Sequence, residues 1–133
     1  MPTLSQLMNS NPVSVTPATT VRALAKKMKD GRIGSILIKK GTTYVGIVTE
    51  TDVVRKVVAT AKDPAKVTVE KIMTTPIASI EHVRTPQDAH DMMGDLGIRH
   101  LGISKAGEIV GMISVRDLLR YFQKQSEPKI TQD

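Results

Sequence analysis

The sequence predicts an α/β (α+β) domain built from two related halves, each running strand–helix–strand–strand–helix. Three observations carry this. Gly46-Ile47-Val48-Thr49-Glu50-Thr51-Asp52 and Gly111-Met112-Ile113-Ser114-Val115-Arg116-Asp117 share one form: a glycine, a hydroxyl three residues on, an aspartate six residues on. The two copies stand 65 positions apart, and Thr3-Leu4-Ser5-Gln6-Leu7-Met8 recurs at the same distance as Thr68-Val69-Glu70-Lys71-Ile72-Met73. With 133 residues in all, each copy is marginal as a lone domain, so the halves are expected to form one integrated module. We divide it into a first repeat 1–62, a second repeat 63–124 and a polar tail 125–133.

Each half opens on a short helical turn with a threonine, Thr3 or Thr68, at the N-cap position. Asn11-Pro12-Val13-Ser14-Val15 and Thr75-Pro76-Ile77-Ala78-Ser79-Ile80 follow. Proline favours an extended residue before it, and the alternation after it suits a short strand. A helix comes next, with Val21, Leu24, Ala25 and Met28 on one face in the first half and Ala89, Met92, Met93 and Leu96 in the second. Thr85-Pro86 with Asp88 is a strong helix start. The methionines here read as core filler. Two hairpins follow, Ser35–Ile38 with Tyr44–Val48 and His100–Ser104 with Ile109–Ile113, each turned at a glycine. The last helix of each half aligns Val53, Val54, Val57 and Val58 with Leu118, Leu119 and Phe122. Ala61–Lys66 is the connector.

Hydrophobic residues make up 40% of the chain and aromatics 2%, so the core must be aliphatic. There is no cysteine, which removes disulfides, thiolate metal sites and cysteine nucleophiles. No apolar run approaches the ~20 residues of a membrane span, and the first residues show no basic region followed by an apolar stretch, so a secretory signal is not expected. The protein is therefore expected to be cytoplasmic and without a membrane partner. The net charge of +6 suits solubility or an anionic partner. The basic residues are scattered and not interleaved with stacking aromatics, so nucleic acid is permitted and unsupported. None of the three histidines lies in a zinc-protease helix motif, and there is no nucleophile elbow or phosphate-binding Gly-Lys loop, so no catalytic site is expected.

The repeated motif has two readings. Thr49 with Asp52, and Ser114 with Asp117, stand three apart and fit a helix cap. The same geometry fits a ligand: a helix N-terminus suits phosphate, and an adjacent carboxylate can accept both hydroxyls of a ribose. Glycine weakens a strand and often marks the close approach of a ligand or of another backbone, which is how Gly46 and Gly111 are read.

The pattern Met-x-x-x-Pro-Val, helix, Gly-Ser-Ile-Leu-Ile, Gly-Ile-Val-Thr-x-x-Asp resembles the CBS domain. The second copy, with Gly-Ile-Arg-His-Leu and Gly-Met-Ile-Ser-x-x-Asp-Leu, resembles it equally. Together they look like a tandem CBS pair, or Bateman module, covering nearly the whole chain. The resemblance implies two pseudo-twofold related repeats with packed sheets, and clefts between them that take AMP, ADP or ATP as a regulatory ligand, with no cofactor required. Carried onto this chain, Asp52 with Thr49 and Asp117 with Ser114 would meet ribose and phosphate. For the Asp117 cleft the matching positions are Pro12, Val13, Ile33, Gly34 and Ser35, with Met112. For the Asp52 cleft they are Pro76, Ile77 and Ile98, with Ile47. Arg99 and His100 stand where the family often meets phosphate, against an uncharged Gly34 and Ser35, which makes the Asp117 cleft the better candidate. A solvated Arg99 and a partly buried His100 are the structural alternative. The resemblance further implies a non-catalytic, free-standing energy sensor acting on a separate regulated protein, and a homodimer formed through helices, for which Val57, Val58, Leu119 and Phe122 are either candidate surface or core. A nucleic-acid-binding or purely structural dimerisation module is the alternative.

Overall fold

A computed structural model describes residues 2–126 and resolves the chain into two compact units, 11–78 and 79–126 joined by 2–10. In the first unit, β1 (Ser14–Val15) leads into α2 (Val21–Gly31), then β2 (Ser35–Lys40), β3 (Thr43–Thr49) and α3 (Glu50–Val53). A π-helical turn, Val54–Val58, continues α3, and a 3-10 turn, Val69–Lys71, closes the unit. The second unit takes α1 (Leu4–Leu7) from the start of the chain, then β4 (Ser79–Glu81), α4 (Pro86–Leu96), β5 (His100–Lys105), β6 (Glu108–Ser114) and α5 (Val115–Ser126). Each unit holds a three-stranded sheet of one topology, β1-β2-β3 and β4-β5-β6. The first pair is parallel through a helical crossover and the second is an antiparallel hairpin.

The strand–helix–strand–strand–helix order expected from sequence is the order observed. Thr20 starts α2, its Oγ1 accepting from the Ala23 N–H at 3.2 Å. Val21, Leu24 and Met28 bury the inner stripe of α2. They meet Ile36 and Ile38 of β2 and Val48 of β3, which alternate onto one sheet face, and Val57, Val69 and Ile72 complete this core. In the second unit Ala89 and Met93 of α4, Leu101, Ile103, Ile113 and Leu118 are buried in the matching places. Both α2 and α4 stop on a left-handed residue, Arg32 in one and Gly97 in the other. The hairpins share a bulge after their fourth pair, at Ile38/Lys39 and Ile103/Ser104. The Ala106-Gly107 turn has positive φ at both residues, 52° and 81°, as a two-residue hairpin of twisted strands demands.

The leading turns dock in a way the repeat pattern does not reveal. In the second unit the Leu4 and Ser5 N–H groups donate to the Arg84 and His82 carbonyls at 2.9 and 3.0 Å. In the first, Val69 and Glu70 donate to Thr19 and Pro17 at 2.8 and 3.3 Å. These bonds are equivalent under the 65-residue repeat. Each repeat's leading turn therefore packs within the unit that carries the other repeat's sheet. The division at 62/63 describes the repeats in sequence, whereas the packing units exchange their first turns.

Several details depart from expectation. Thr68 has the extended backbone of an N-cap but makes no side-chain capping bond. Leu96 is 52% exposed, off the core face expected for it, and Met92 and Ala25 are half-buried. The helix after the first motif is not regular: after Val53 it widens into the π turn, so Val57 is fully buried while Val54 and Val58 face solvent. Gln125 and Ser126, assigned to the tail, belong to α5, and the rest of that tail lies outside the described residues.

The start of α4 carries a pH-dependent share of stability. Thr85 donates its N–H to Asp88 Oδ2 at 3.1 Å, and Asp88 returns its own N–H to Thr85 Oγ1 at 3.2 Å. The Thr85 backbone bond first, then its side chain, and to a smaller extent Arg84 hold the Asp88 carboxyl below its ordinary value of 3.8 against the opposing effect of burial. A depressed folded pKa contributes stability that is present above the unfolded value and lost as pH falls through the folded one. Between pH 5 and 3 the melting temperature of Asp88→Asn is thus expected to fall less than that of the parent. Thermal melts across that range check it.

Candidate functional site

The two motifs fold alike. Each places its hydroxyl at the end of a hairpin's second strand, directly opposite the first residue of the hairpin: Thr49 pairs with Ser35, and Ser114 with His100. The chain then turns into a helix whose first N–H goes to a carbonyl across the hairpin, Glu50 to Gly34 at 3.0 Å and Val115 to Arg99 at 2.8 Å. The aspartate reaches back. Asp52 Oδ2 accepts from the Thr49 N–H at 2.9 Å and its hydroxyl at 3.2 Å, and Asp117 Oδ2 accepts from the Ser114 N–H at 2.8 Å and its hydroxyl at 2.9 Å. The hydroxyls in turn accept the aspartate N–H groups at 3.4 and 3.2 Å. The capping reading is thus realised at both motifs, and two of the first three helical N–H groups are already bonded within the protein.

The second carboxylate oxygen separates the two motifs. Oδ1 of Asp52 lies 3.0 Å from the Lys56 ammonium, which also donates to the Ile72 carbonyl at 2.9 Å. Asp52 is the one buried charged residue among those described. Asp117 is half-buried, and its Oδ1 has no hydrogen bond or ion pair among the described residues. Where the first repeat has Lys56, the second has Tyr121, whose ring sits edge-on to Phe122 at 5.4 Å. Sequence reasoning passed over Lys56. The signal was present: a lysine four residues after an aspartate on a helix faces it.

The glycines answer to the chain itself. A Cβ on Gly46 would stand 2.5 Å from Met73 Sδ, and one on Gly111 would stand 2.5 Å from Met8 Sδ and 2.8 Å from the Asn9 carbonyl oxygen. The leading segments lie against these strands through paired bridges, Asn9 with Met112 and Thr74 with Ile47. It is close approach by the chain itself, the second of the two partners the sequence suggested, that accounts for both glycines.

The remaining expected site residues divide between the units. Met112, Ser114, Asp117, Ile98, Arg99 and His100 belong to one, with Arg99 exposed and His100 half-buried at the foot of β5. Pro12, Val13, Ile33, Gly34, Ser35, Ile47, Thr49, Asp52, Pro76 and Ile77 belong to the other. Within it Val13 is bonded through its carbonyl to the Leu37 N–H, and its side chain is 42% exposed. Ile47 and Ile77 are buried and Pro76 is exposed. Among the described residues no three histidine, cysteine or carboxylate side chains converge as a metal site, and no helix is long and apolar enough to cross a membrane.

The CBS domain family model matches twice, over residues 4–59 and 69–124, each match ending in the helix that follows one of these motifs. The chain belongs to the CBS domain family. Among its relatives, an uncharacterised protein of Methanopyrus kandleri is 34% identical over 110 residues, which is 81% of this chain and 56% of that protein. An uncharacterised 17.7 kDa protein of Acidianus ambivalens is 35% identical over 119 residues, 88% of this chain and 71% of the relative. The chain thus spans little more than half of the first relative's length. Among solved structures, a CBS-domain protein from Burkholderia ambifaria superposes with a TM-score of 0.88 at 28% identity, covering 97% of this chain and 99% of that one. A hexameric CBS-CP12 protein from bloom-forming cyanobacteria superposes at 0.80 with 27% identity, over 96% and 76% of the two chains. Paired CBS domains are generally regulatory and non-catalytic modules, and CBS domains generally bind adenine nucleotides as regulatory ligands.

Proposed function

We propose that this CBS pair is a cytoplasmic regulatory sensor that binds an adenine nucleotide, AMP, ADP or ATP, with Asp117 as its ribose-holding residue. The observation that carries the reading is the uncommitted Oδ1 of Asp117 beside a fully capped Oδ2. The cap holds the carboxylate in one orientation, and the remaining oxygen is an acceptor for the 2′- and 3′-hydroxyls of a ribose. Ser114 serves mainly to fix that carboxylate. Arg99, exposed at the strand end next to it, supplies the positive charge that a phosphate chain requires. Met112 offers an apolar contact. Arg99 and His100 favour Asp117 over Asp52, and the Lys56 pair at the other motif supports the same choice.

The test is a thermal-shift screen with AMP, ADP, ATP, GTP and S-adenosylmethionine. A ligand at a hundredfold excess over its dissociation constant stabilises the native state by ~2.7 kcal/mol. An adenine nucleotide is expected to raise the melting temperature, and a flat response across all five contradicts the reading. The alternative, nucleic-acid binding, has only the net charge in its favour. It requires a steep loss of affinity with added salt.

We also propose that the module works as a homodimer that acts on a separate regulated protein. Oligomerisation is a family trait, and one solved neighbour is hexameric. The structure decides which apolar side chains can serve it. Val54, Val58 and Leu119 are 56%, 67% and 63% exposed, Phe122 is half-buried, and Val57 is withdrawn because it is core. Val58→Asp with Leu119→Asp is expected to yield monomers by light scattering while nucleotide binding survives.

A further inference from the structure

We propose that Lys56 keeps the Asp52 motif closed to nucleotide, so that the chain takes one ligand although it carries two copies of the motif. The inference rests on the adenine-nucleotide reading of Asp117. The motifs make the same two bonds to Oδ2 and the same return bond from the aspartate N–H to the hydroxyl, and the two carboxylates differ at Oδ1. At Asp52 that oxygen is held by the Lys56 ammonium at 3.0 Å. The same ammonium donates to the Ile72 carbonyl at 2.9 Å, just past the 3-10 turn. Lys56 therefore spends two of its three donors on groups inside its own unit.

The Asp52 side chain is 12% exposed and that of Lys56 44%, so the carboxylate is sheltered while the ammonium reaches it from the solvent side, and the bond between them is charge-assisted. A ribose diol seeking Asp52 Oδ1 meets an oxygen already held by an ammonium that the Ile72 carbonyl anchors in place. Asp117 asks nothing of the kind, because the matching position is Tyr121, a neutral side chain turned against Phe122. The backbone differs at the same place. Lys56 lies in the π turn Val54–Val58, whereas α5 runs through the corresponding residues as a regular α-helix. Both the side chain and the local helix thus distinguish the closed motif from the open one.

Equilibrium dialysis with ATP tests this. The parent chain is expected to bind one ATP, Lys56→Met two, and Lys56→Met/Asp52→Asn one again. At an ATP concentration just sufficient to saturate the parent, Asp117→Asn, with its affinity about a hundredfold lower, is expected to show no appreciable occupancy, and Asp117→Asn/Lys56→Met to regain one site. Two sites in the parent, or a single site unchanged in Lys56→Met, overturns the inference and leaves the nucleotide reading intact. Should Lys56→Met fail to fold, Lys56→Gln takes its place, and retention of ATP by Asp117→Asn overturns the proposal without either. Absence of ATP binding to the parent removes the nucleotide reading and this inference together.

Discussion

Asp117→Asn is expected to cost about a hundredfold in adenine-nucleotide affinity while the melting temperature stays within a few degrees of the parent's. Asparagine keeps an oxygen to accept the Ser114 N–H, so the cap, worth ~1 kcal/mol, is largely retained. What goes is the negative charge facing the ribose. Hydrogen bonds to a charged group are worth roughly 1.5–3 kcal/mol, and each 1.4 kcal/mol is about tenfold in affinity. Calorimetric titration alongside thermal melts separates the two effects. A variant that binds normally but melts early would leave Asp117 as a capping residue and nothing more.

Gly111→Ala is expected to be the more damaging change to the fold, at about 1–3 kcal/mol, the range for a methyl group forced into a packed site. The new Cβ would meet Met8 Sδ, which can move, and the Asn9 carbonyl oxygen at 2.8 Å, which is fixed by its bond to the Met112 N–H at 3.0 Å. Gly46→Ala offers the internal control. Its close contacts are all with the Met73 side chain, so rotation of that chain can relieve them, and its cost is expected to be smaller. Urea denaturation of the two variants measures the difference. Equal costs would mean that the leading turn, not the carbonyl, absorbs the strain in both.

Those glycines also show where the sequence was legible and where it was not. The repeat and the hydrophobic periods were enough to place every strand and the principal helices, because Val21, Leu24 and Met28, or Ile36 and Ile38, obey the geometry of one element at a time. The motif's internal bonds were equally readable, since a hydroxyl and an aspartate three apart at a helix start have one good arrangement. What escaped was non-local. Nothing in Met8 or Met73 announces that its leading turn will lie on the other repeat's sheet, and so the glycines were read toward a ligand as readily as toward the chain. The π turn escaped for a related reason. Helical spacing alone does not say which of Val57 and Val58 faces the core, and the structure buries Val57 while Val58 stays exposed. Lys56 is legible in principle, since a lysine four residues after an aspartate on a helix faces it, but an aspartate that also fits a ligand hides the pairing.

The division between a cap and a binding group is the point on which the functional account turns, and ATP and 2′-deoxy-ATP resolve it in one pair of titrations. If Asp117 holds the ribose, loss of the 2′-hydroxyl is expected to weaken binding to the parent chain by about tenfold or more, the equivalent of one charge-assisted hydrogen bond. The same comparison in Asp117→Asn is expected to show little difference. Equal affinity of the parent for both nucleotides, or no saturable binding of either, would contradict the account.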